Sequence, residues 1–181
     1  MQIRVANTSD ATAIRNIYAP YVESTAISFE TNPPTVEYFQ QSIAERVKQY
    51  PWLVAHEEDG EVIGYAYASE FATRAAYRWS VEVSIYIGQG QHRKGVGKAL
   101  YAKLLPILQQ QGFRMAFAGV TLPNAASKGL HESFGFQQVA NLPKAGNKFS
   151  EWHDVGWWAL DLQPEGAQSP SEPIPFASLS L

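Results

Sequence analysis

Between residues 82 and 98 the chain gathers one acid, three cations and four glycines, among them Glu82 inside the apolar run Val81–Val83 and the sequence Arg93, Lys94, Gly95, Val96, Gly97 and Lys98. Gly95 and Gly97 stand at the head of an apolar-periodic segment that reads as a helix. Such a turn exposes several backbone N–H groups where the helix macrodipole also favours negative charge. Without a Cβ at these positions, a large anion can approach the backbone closely. The chemistry that fits is a cradle for a pyrophosphate, although a glycine-rich loop ringed by solvated basic residues fits the same two glycines. A carboxylate short of solvent has a raised pKa, closer to the range a general base needs, and Glu82 is a candidate for that role. Strand alternation alone places Glu82 on a solvated sheet face just as readily. His131 titrates in a range suited to proton transfer, as an acid or as an alternative base, but a lone histidine on a helix is more often structural.

The elements that would position these residues follow from periodicity. Ile3–Ala6 alternates as a short strand, and Thr8-Ser9-Asp10 opens a helix with Ala11, Ile14, Ile17, Tyr18 and Tyr21 at helical spacing. Pro20 marks the end or a kink of that helix. Ser24–Glu30 is β-prone, and Asn32-Pro33-Pro34 is a loop. Thr35 caps a second helix carrying Tyr38, Phe39, Ile43 and Val47, stopped by Tyr50-Pro51. Residues 52–57 and 61–68 flank Glu58-Asp59-Gly60, which predicts a hairpin. A strand over Trp79–Ile87 follows, then the glycine turn and a helix to about Gln111, in which Pro106 is expected to cause a kink or an early stop. Met115–Leu122 is an apolar strand, reached through a helix and so parallel to the one before it. Asn124 opens a helix with Leu130 and Phe134, Gly135-Phe136 ends it, and a last strand runs from Trp152 to Leu162. The order is β-α-α-β-β-β-α-β-α-β, a mixed α/β sheet. Residues 1–163 are expected to form one domain, and the Pro- and Ser-rich segment 164–181 an extended arm or disordered tail.

Composition narrows the function classes. The 181 residues carry a net charge of −3 with no basic stripe, so nucleic acid is not an expected partner. No apolar stretch is long enough to span a membrane, and no signal-peptide pattern opens the chain. There is no cysteine, hence no thiolate catalysis and no disulfide framework, and cytoplasmic residence is the expectation. The four histidines lie at no ligand-type spacing, so no metal is expected.

His92-Arg93-Lys94-Gly95-Val96-Gly97 resembles the Arg/Gln-x-x-Gly-x-Gly/Ala nucleotide motif of the GNAT acyltransferase family, with His92 in place of Arg or Gln. Asn124-Ala125-Ala126-Ser127 followed by Leu130-His131-Glu132 and Gly135-Phe136 resembles the family's second signal, with His131 where many members carry Tyr. Ser28-Phe29, Tyr50–Ala55, Ala76–Trp79, Glu82, Gly112-Phe113, Leu122–Asn124 and Trp152–Gly156 resemble the phosphinothricin and methionine sulfoximine N-acetyltransferase branch. The likeness spans roughly residues 2 to 163.

The resemblance implies a GNAT fold, with a mixed and mostly antiparallel central sheet flanked by helices on both faces. It implies acetyl-CoA as co-substrate and direct transfer to the α-amine of a small amino acid such as phosphinothricin, methionine sulfoximine or methionine sulfone. The backbone of Ile85, Tyr86 and Ile87 would bond the pantetheine arm, and residues 93–98 (Arg93, Lys94, Gly95, Val96, Gly97, Lys98) would hold the pyrophosphate. Asn124 would fix the thioester end, though it reads equally as a helix N-cap. Glu82 would be the base and His131 a second proton-transfer residue. Phe29, Arg74, Tyr77, Arg78 and Lys148 would recognise the acceptor, arginine forks being suited to carboxylate or phosphinate oxygens. A homodimer with the acceptor site near the interface is implied as well. The alternatives are an acetyltransferase for another small amine or a protein N-terminus, and a non-catalytic acyl-CoA-binding sensor.

Overall fold

The computed structural model describes residues 1–163 and 171–180. Its centre is a seven-stranded sheet in the order β1-β2-β3-β4-β5-β7-β6. In chain order the strands are β1 (Gln2–Val5), β2 (Trp52–His56), β3 (Val62–Glu70), β4 (Ser80–Ile87), β5 (Met115–Leu122), β6 (Gln137–Lys148) and β7 (Glu151–Asp161). Only β4 and β5 run parallel; every other neighbouring pair is antiparallel. Four helices cover the faces: α1 (Ala11–Ser24), α2 (Val36–Gln49), α3 (Val96–Gln111) and α4 (Ala125–Ser133).

Alternation along the central strands builds two cores. Val81 and Val83 of β4, with Ala116, Ala118 and Val120 of β5, pack against Leu100, Leu104 and Leu108 of α3. On the other face Trp52, Val54 and Tyr65 meet Ile14 and Ile17 of α1 and Phe39 and Ile43 of α2. The intervening β4 residues Glu82, Ser84 and Tyr86 therefore look toward α1 and α2. Tyr86 confirms that side, its ring centroid lying 4.8 Å from Tyr18 and 5.3 Å from Tyr21.

Several sequence expectations are corrected. Neither proline stops its helix: α1 runs four residues past Pro20, and α3 is continuous through Pro106 to Gln111. A proline removes one intrahelical bond, whereas the buried stripes on either side, Ile17, Ala19 and Val22 in α1 and Leu104, Leu105, Ile107 and Leu108 in α3, keep both helices folded. The short 3-10 turn Thr8–Asp10 that leads into α1 is capped from Asn7, whose side chain accepts from the Ser9 N–H, while the Asp10 carboxylate accepts from the Asn7 N–H. Ser24–Glu30 is no strand: Ser24 ends α1 and the rest is loop. A strand is added before the last one, since residues 137–148, to which the sequence assigns no element of their own, form the twelve-residue β6 paired with β7. The tight turn falls at Phe149 and Ser150, both with positive φ.

Residues 164–170, part of the expected tail, lie outside the described residues. Residues 171–180 run back over the body as an arm. Phe176 is buried in the α3-side core, the Ile174 N–H donates to the Gln111 carbonyl, and the Gln111 amide donates to the carbonyls of Gln49 and Ile174. No helix among the described residues is long and apolar enough to cross a membrane.

Candidate active site

The parallel pair β4–β5 is joined only over Ser80–Glu82 and Met115–Phe117. Beyond that point β4 continues to Ile87 and β5 to Leu122 without pairing, so the two strands part into a wedge. Backbone groups of β4 that face β5 past Glu82 have no strand partner, and an extended ligand can take that place. A cavity of about 50 Å³ lies in the wedge, lined by Val83, Ser84, Ile85, Tyr86, Gly119, Val120, Thr121, Asn124, Ser127, His131 and Ile27. The structure thus brings Ile85, Tyr86, Asn124 and His131 together around one opening, with Ile87 next along β4.

At the open end of β4 the chain turns through Gly88–Gln91 into α3. Gly95 is the N-cap residue with φ of +85°, a left-handed conformation that disfavours any side chain. No side chain caps this helix, which leaves the N–H groups of its first turn, Val96–Lys98, free to meet an anion. A Cβ at Gly97 would stand 3.1 Å from Leu130, so this glycine lets α3 and α4 approach. Arg93, Lys94 and Lys98 are exposed around the same point, and Arg93 itself has φ of +63°. His92, the departure from the motif, lies beside Tyr21 at 3.4 Å and is solvent-facing.

Glu82 occupies the last paired position before the wedge opens, opposite Ser69 on β3 and Phe117 on β5. It is half-buried, and burial raises its pKa, partly opposed by the positive charge of Arg46. Arg46 sits on α2 with its guanidinium carbon 5.0 Å from the centroid of the Tyr67 ring and 5.7 Å from that of Trp52. Sequence reasoning missed this arginine. The signal was its place seven residues after Phe39 and three after Ile43, on the core-facing stripe of α2.

His131 is 3% exposed, packed between the rings of Tyr101 and Phe136. Burial pulls its pKa down to about 4. The Tyr101 hydroxyl, whose own pKa is pushed far up by burial, lies 3.2 Å from Nδ1. A neutral phenol donates there, which leaves the imidazole proton on Nε2. Tyr101 is the second residue missed; it lies in the apolar stripe of α3, where an aromatic reads as core. Asn124 both lines the wedge and caps α4, its Oδ1 accepting from the Ser127 N–H at 3.0 Å.

The expected acceptor residues divide. Phe71 stacks on Phe117 at 4.4 Å and meets Tyr77 and Trp157 edge-on, forming an aromatic wall that carries Tyr77. Phe29 lies over Gly146, where a Cβ would collide with its ring, and 6.2 Å from His153. Arg74 is exposed ahead of a short helical turn at Ala75–Tyr77. Arg78 is engaged elsewhere: it donates to the Ala75 carbonyl, pairs with Glu172 at 2.6 Å and lies over the Trp79 ring. Lys148 is engaged too, buried with its Nζ donating to the carbonyls of Val22 and Ser28, both at 2.6 Å. It therefore pins the loop after α1 to the β6–β7 hairpin, and burial lowers its pKa. A larger open groove of about 540 Å³, between α1 and the 88–91 turn, lies away from Glu82, and the buried acid in its wall, Asp10, is held by Arg4. Among the described residues no group of three or more His, Asp or Glu side chains is placed to hold a metal ion.

Comparison with known proteins bears on this site. The family described as "Acetyltransferase (GNAT) domain" matches residues 3–157. The phosphinothricin N-acetyltransferase of Streptomyces viridochromogenes is 37% identical over 174 residues, which are 96% of this chain and 94% of that protein. The L-methionine sulfoximine/L-methionine sulfone acetyltransferase of Pseudomonas aeruginosa is 34% identical over 163 residues, 90% of this chain and 95% of its own length. Among solved structures, a GNAT superfamily phosphinothricin acetyltransferase from Sinorhizobium meliloti, in complex with acetyl-CoA, superposes with a TM-score of 0.90 at 33% identity, covering 96% of this chain and 94% of that one.

Proposed function

The chain belongs to the GNAT acetyltransferase family and is an acetyl-CoA-dependent N-acetyltransferase; on that premise we propose that it acetylates the α-amine of a small amino acid such as phosphinothricin, methionine sulfoximine or methionine sulfone. Transfer is direct, with Glu82 as general base. The observation that carries this reading is the position of Glu82: half-buried, with a raised pKa, at the residue where β4 and β5 part. The names of the similar proteins support the choice of acceptor.

Acetyl-CoA supplies the activated acyl group, and this chain's residues hold it in three places. The backbone of Ile85, Tyr86 and Ile87 offers the pantetheine arm the bonds of an added strand. The N–H groups at 96–98, with Gly95 and Gly97 for clearance and Arg93, Lys94 and Lys98 for charge, hold the pyrophosphate. Asn124, which lines the wedge, fixes the thioester end.

The acceptor arrives as an ammonium, and Glu82 takes one proton from it directly or through a water. The freed amine attacks the thioester carbonyl, and donors beyond Glu82 on β4 stabilise the tetrahedral oxyanion. The C–S bond then breaks as the amide forms, and the second proton of the amine nitrogen passes to the departing thiolate to give the free thiol. His131, neutral at working pH, donates a hydrogen bond from Nε2 to the departing sulfur and does not compete with Glu82 as base, because its basicity is too low. Phe29, Tyr77 and Arg74 bound the acceptor's far end, and the location is proposed as cytoplasmic on the cysteine-free composition alone.

We also propose a homodimer. The β6–β7 hairpin presents Val139, Leu142, Phe149 and Trp152 to solvent, with Trp152 65% exposed, and Phe149 holds a left-handed backbone that a bulky residue adopts at a cost. A second copy is the occupant this apolar edge fits.

The deciding experiment is Glu82→Gln with a free-thiol readout on methionine sulfone and phosphinothricin. Turnover should fall by about 10²–10⁴-fold while acetyl-CoA binding is retained. Unchanged turnover removes Glu82 as base, and thiol release with a peptide but with neither amino acid removes the acceptor assignment.

A further inference from the structure

We propose that Arg46 holds the α-carboxylate of the acceptor and is thereby the residue that selects free amino acids over other amines; this rests on the acceptor class proposed above. The guanidinium lies on a shelf made by Trp52 and Tyr67, whose rings stack 4.5 Å apart. Stacking fixes the plane of the fork and leaves its edge N–H groups for a planar anion. Among the described residues no carboxylate lies within the 4.0 Å of an ion pair with Arg46, whereas Arg4, Arg78 and Arg114 each spend their forks on one.

The shelf is on the same face as the base. Tyr67 pairs with Ser84 on β4, two residues from Glu82, and alternation turns Tyr67, Ser84 and Glu82 to one side of the sheet. Arg46 and Glu82 form no ion pair, yet the charge of the arginine is felt by the carboxylate. An α-amino acid suits that arrangement. Its amine nitrogen and carboxylate carbon are ~2.5 Å apart across one tetrahedral carbon, so an amine that gives its proton to Glu82 places its carboxylate on the Arg46 side. The other cations expected to grip the acceptor do not compete for this role. Arg78 is paired with Glu172, and Lys148 is bonded to two backbone carbonyls. Arg74, exposed beside Tyr77, is left for the tetrahedral far end of the molecule.

The test compares methionine sulfone with its uncharged α-carboxamide in the full-length protein, wild type against Arg46→Gln, by thiol release. The variant should lose about 10–100-fold in kcat/KM for the acid, mainly through KM, and no more than about threefold for the carboxamide. The KM for acetyl-CoA should not move. Removing Arg46 also changes the field at Glu82, but that effect is common to both acceptors and cancels in their ratio. Arg46→Lys keeps the charge and stem, so it should retain part of the acid preference if the glutamine variant folds poorly. Equal losses for acid and carboxamide, or no loss for the acid, overturn the assignment while leaving the acceptor reading intact. No thiol release by the wild type with either compound overturns the acceptor reading and this inference together.

Discussion

His131 is neutral at working pH, and that has a measurable cost in acid. Its folded pKa of about 4 lies below the ordinary value of 6.5 that the unfolded chain shows. As the pH falls, the unfolded state therefore binds the proton first. The stabilisation is present in full above pH 6.5 and is lost as the pH drops toward 4. Applying those two values, native stability should fall by about 2–3 kcal/mol between pH 7 and pH 4.5 on account of this one side chain. His131→Asn keeps an acceptor for the Tyr101 hydroxyl but has no proton to gain. Urea unfolding of the two proteins across that range isolates the residue, since every other carboxylate and histidine contributes alike to both. The wild-type curve should fall away from the variant's below pH 6.5. Parallel curves, or a His131 resonance titrating near 6.5 in the folded protein, refute the reasoning. The outcome bears on mechanism: at pH 7 a group with a pKa of about 4 is protonated in about one molecule in a thousand, so an imidazolium acid would start about 4 kcal/mol uphill. A neutral Nε2–H donor carries no such cost.

Two other expectations follow from named contacts. Lys148→Met removes the ammonium that joins the Val22 and Ser28 carbonyls and leaves both without that donor, so stability should fall by about 1–3 kcal/mol, and the acceptor KM should rise more than the acetyl-CoA KM because the released loop carries Phe29; chemical denaturation and steady-state kinetics read both. Sedimentation should show a dimer whose dissociation constant rises at least tenfold in Trp152→Glu, and a wild type that is monomeric at tens of micromolar removes the hairpin as an interface.

Much of this site can be read from the residues because it rests on local rules. A positive-φ glycine ahead of an apolar stripe makes the cradle at Gly95–Gly97 wherever the helix packs, and a hairpin needs only Glu58-Asp59-Gly60 between two apolar runs. What could not be read depends on partners distant in the chain. Ser24–Glu30 has β-prone composition, but Ser28 bonds Tyr18 through its side chain and Lys148 through its carbonyl, and that tertiary anchoring makes it a loop. Lys144–Lys148 has turn chemistry, yet pairing with β7 draws it into a strand. The functions expected of Arg78 and Lys148 depended on charge alone; each found a nearer partner. Arg46 showed the reverse. A cation on a buried stripe looks like an exception to amphipathic patterning, and such exceptions are where function concentrates.

The parting of β4 from β5 has a mechanical meaning. Strand pairing between the half of the sheet that bears the base and the half that bears Asn124 is limited to three residue pairs. Between turnovers the sheet is least cohesive along this line, and those amide protons of β4 beyond Glu82 that face β5 should exchange with solvent faster than the β4 amides bonded to β3. When the co-substrate lies between the strands, it is both reactant and missing strand, and the amides it covers should be protected together. The molecule is then completed by what it consumes, and how far apart the two halves stand sets the reach from thioester to amine.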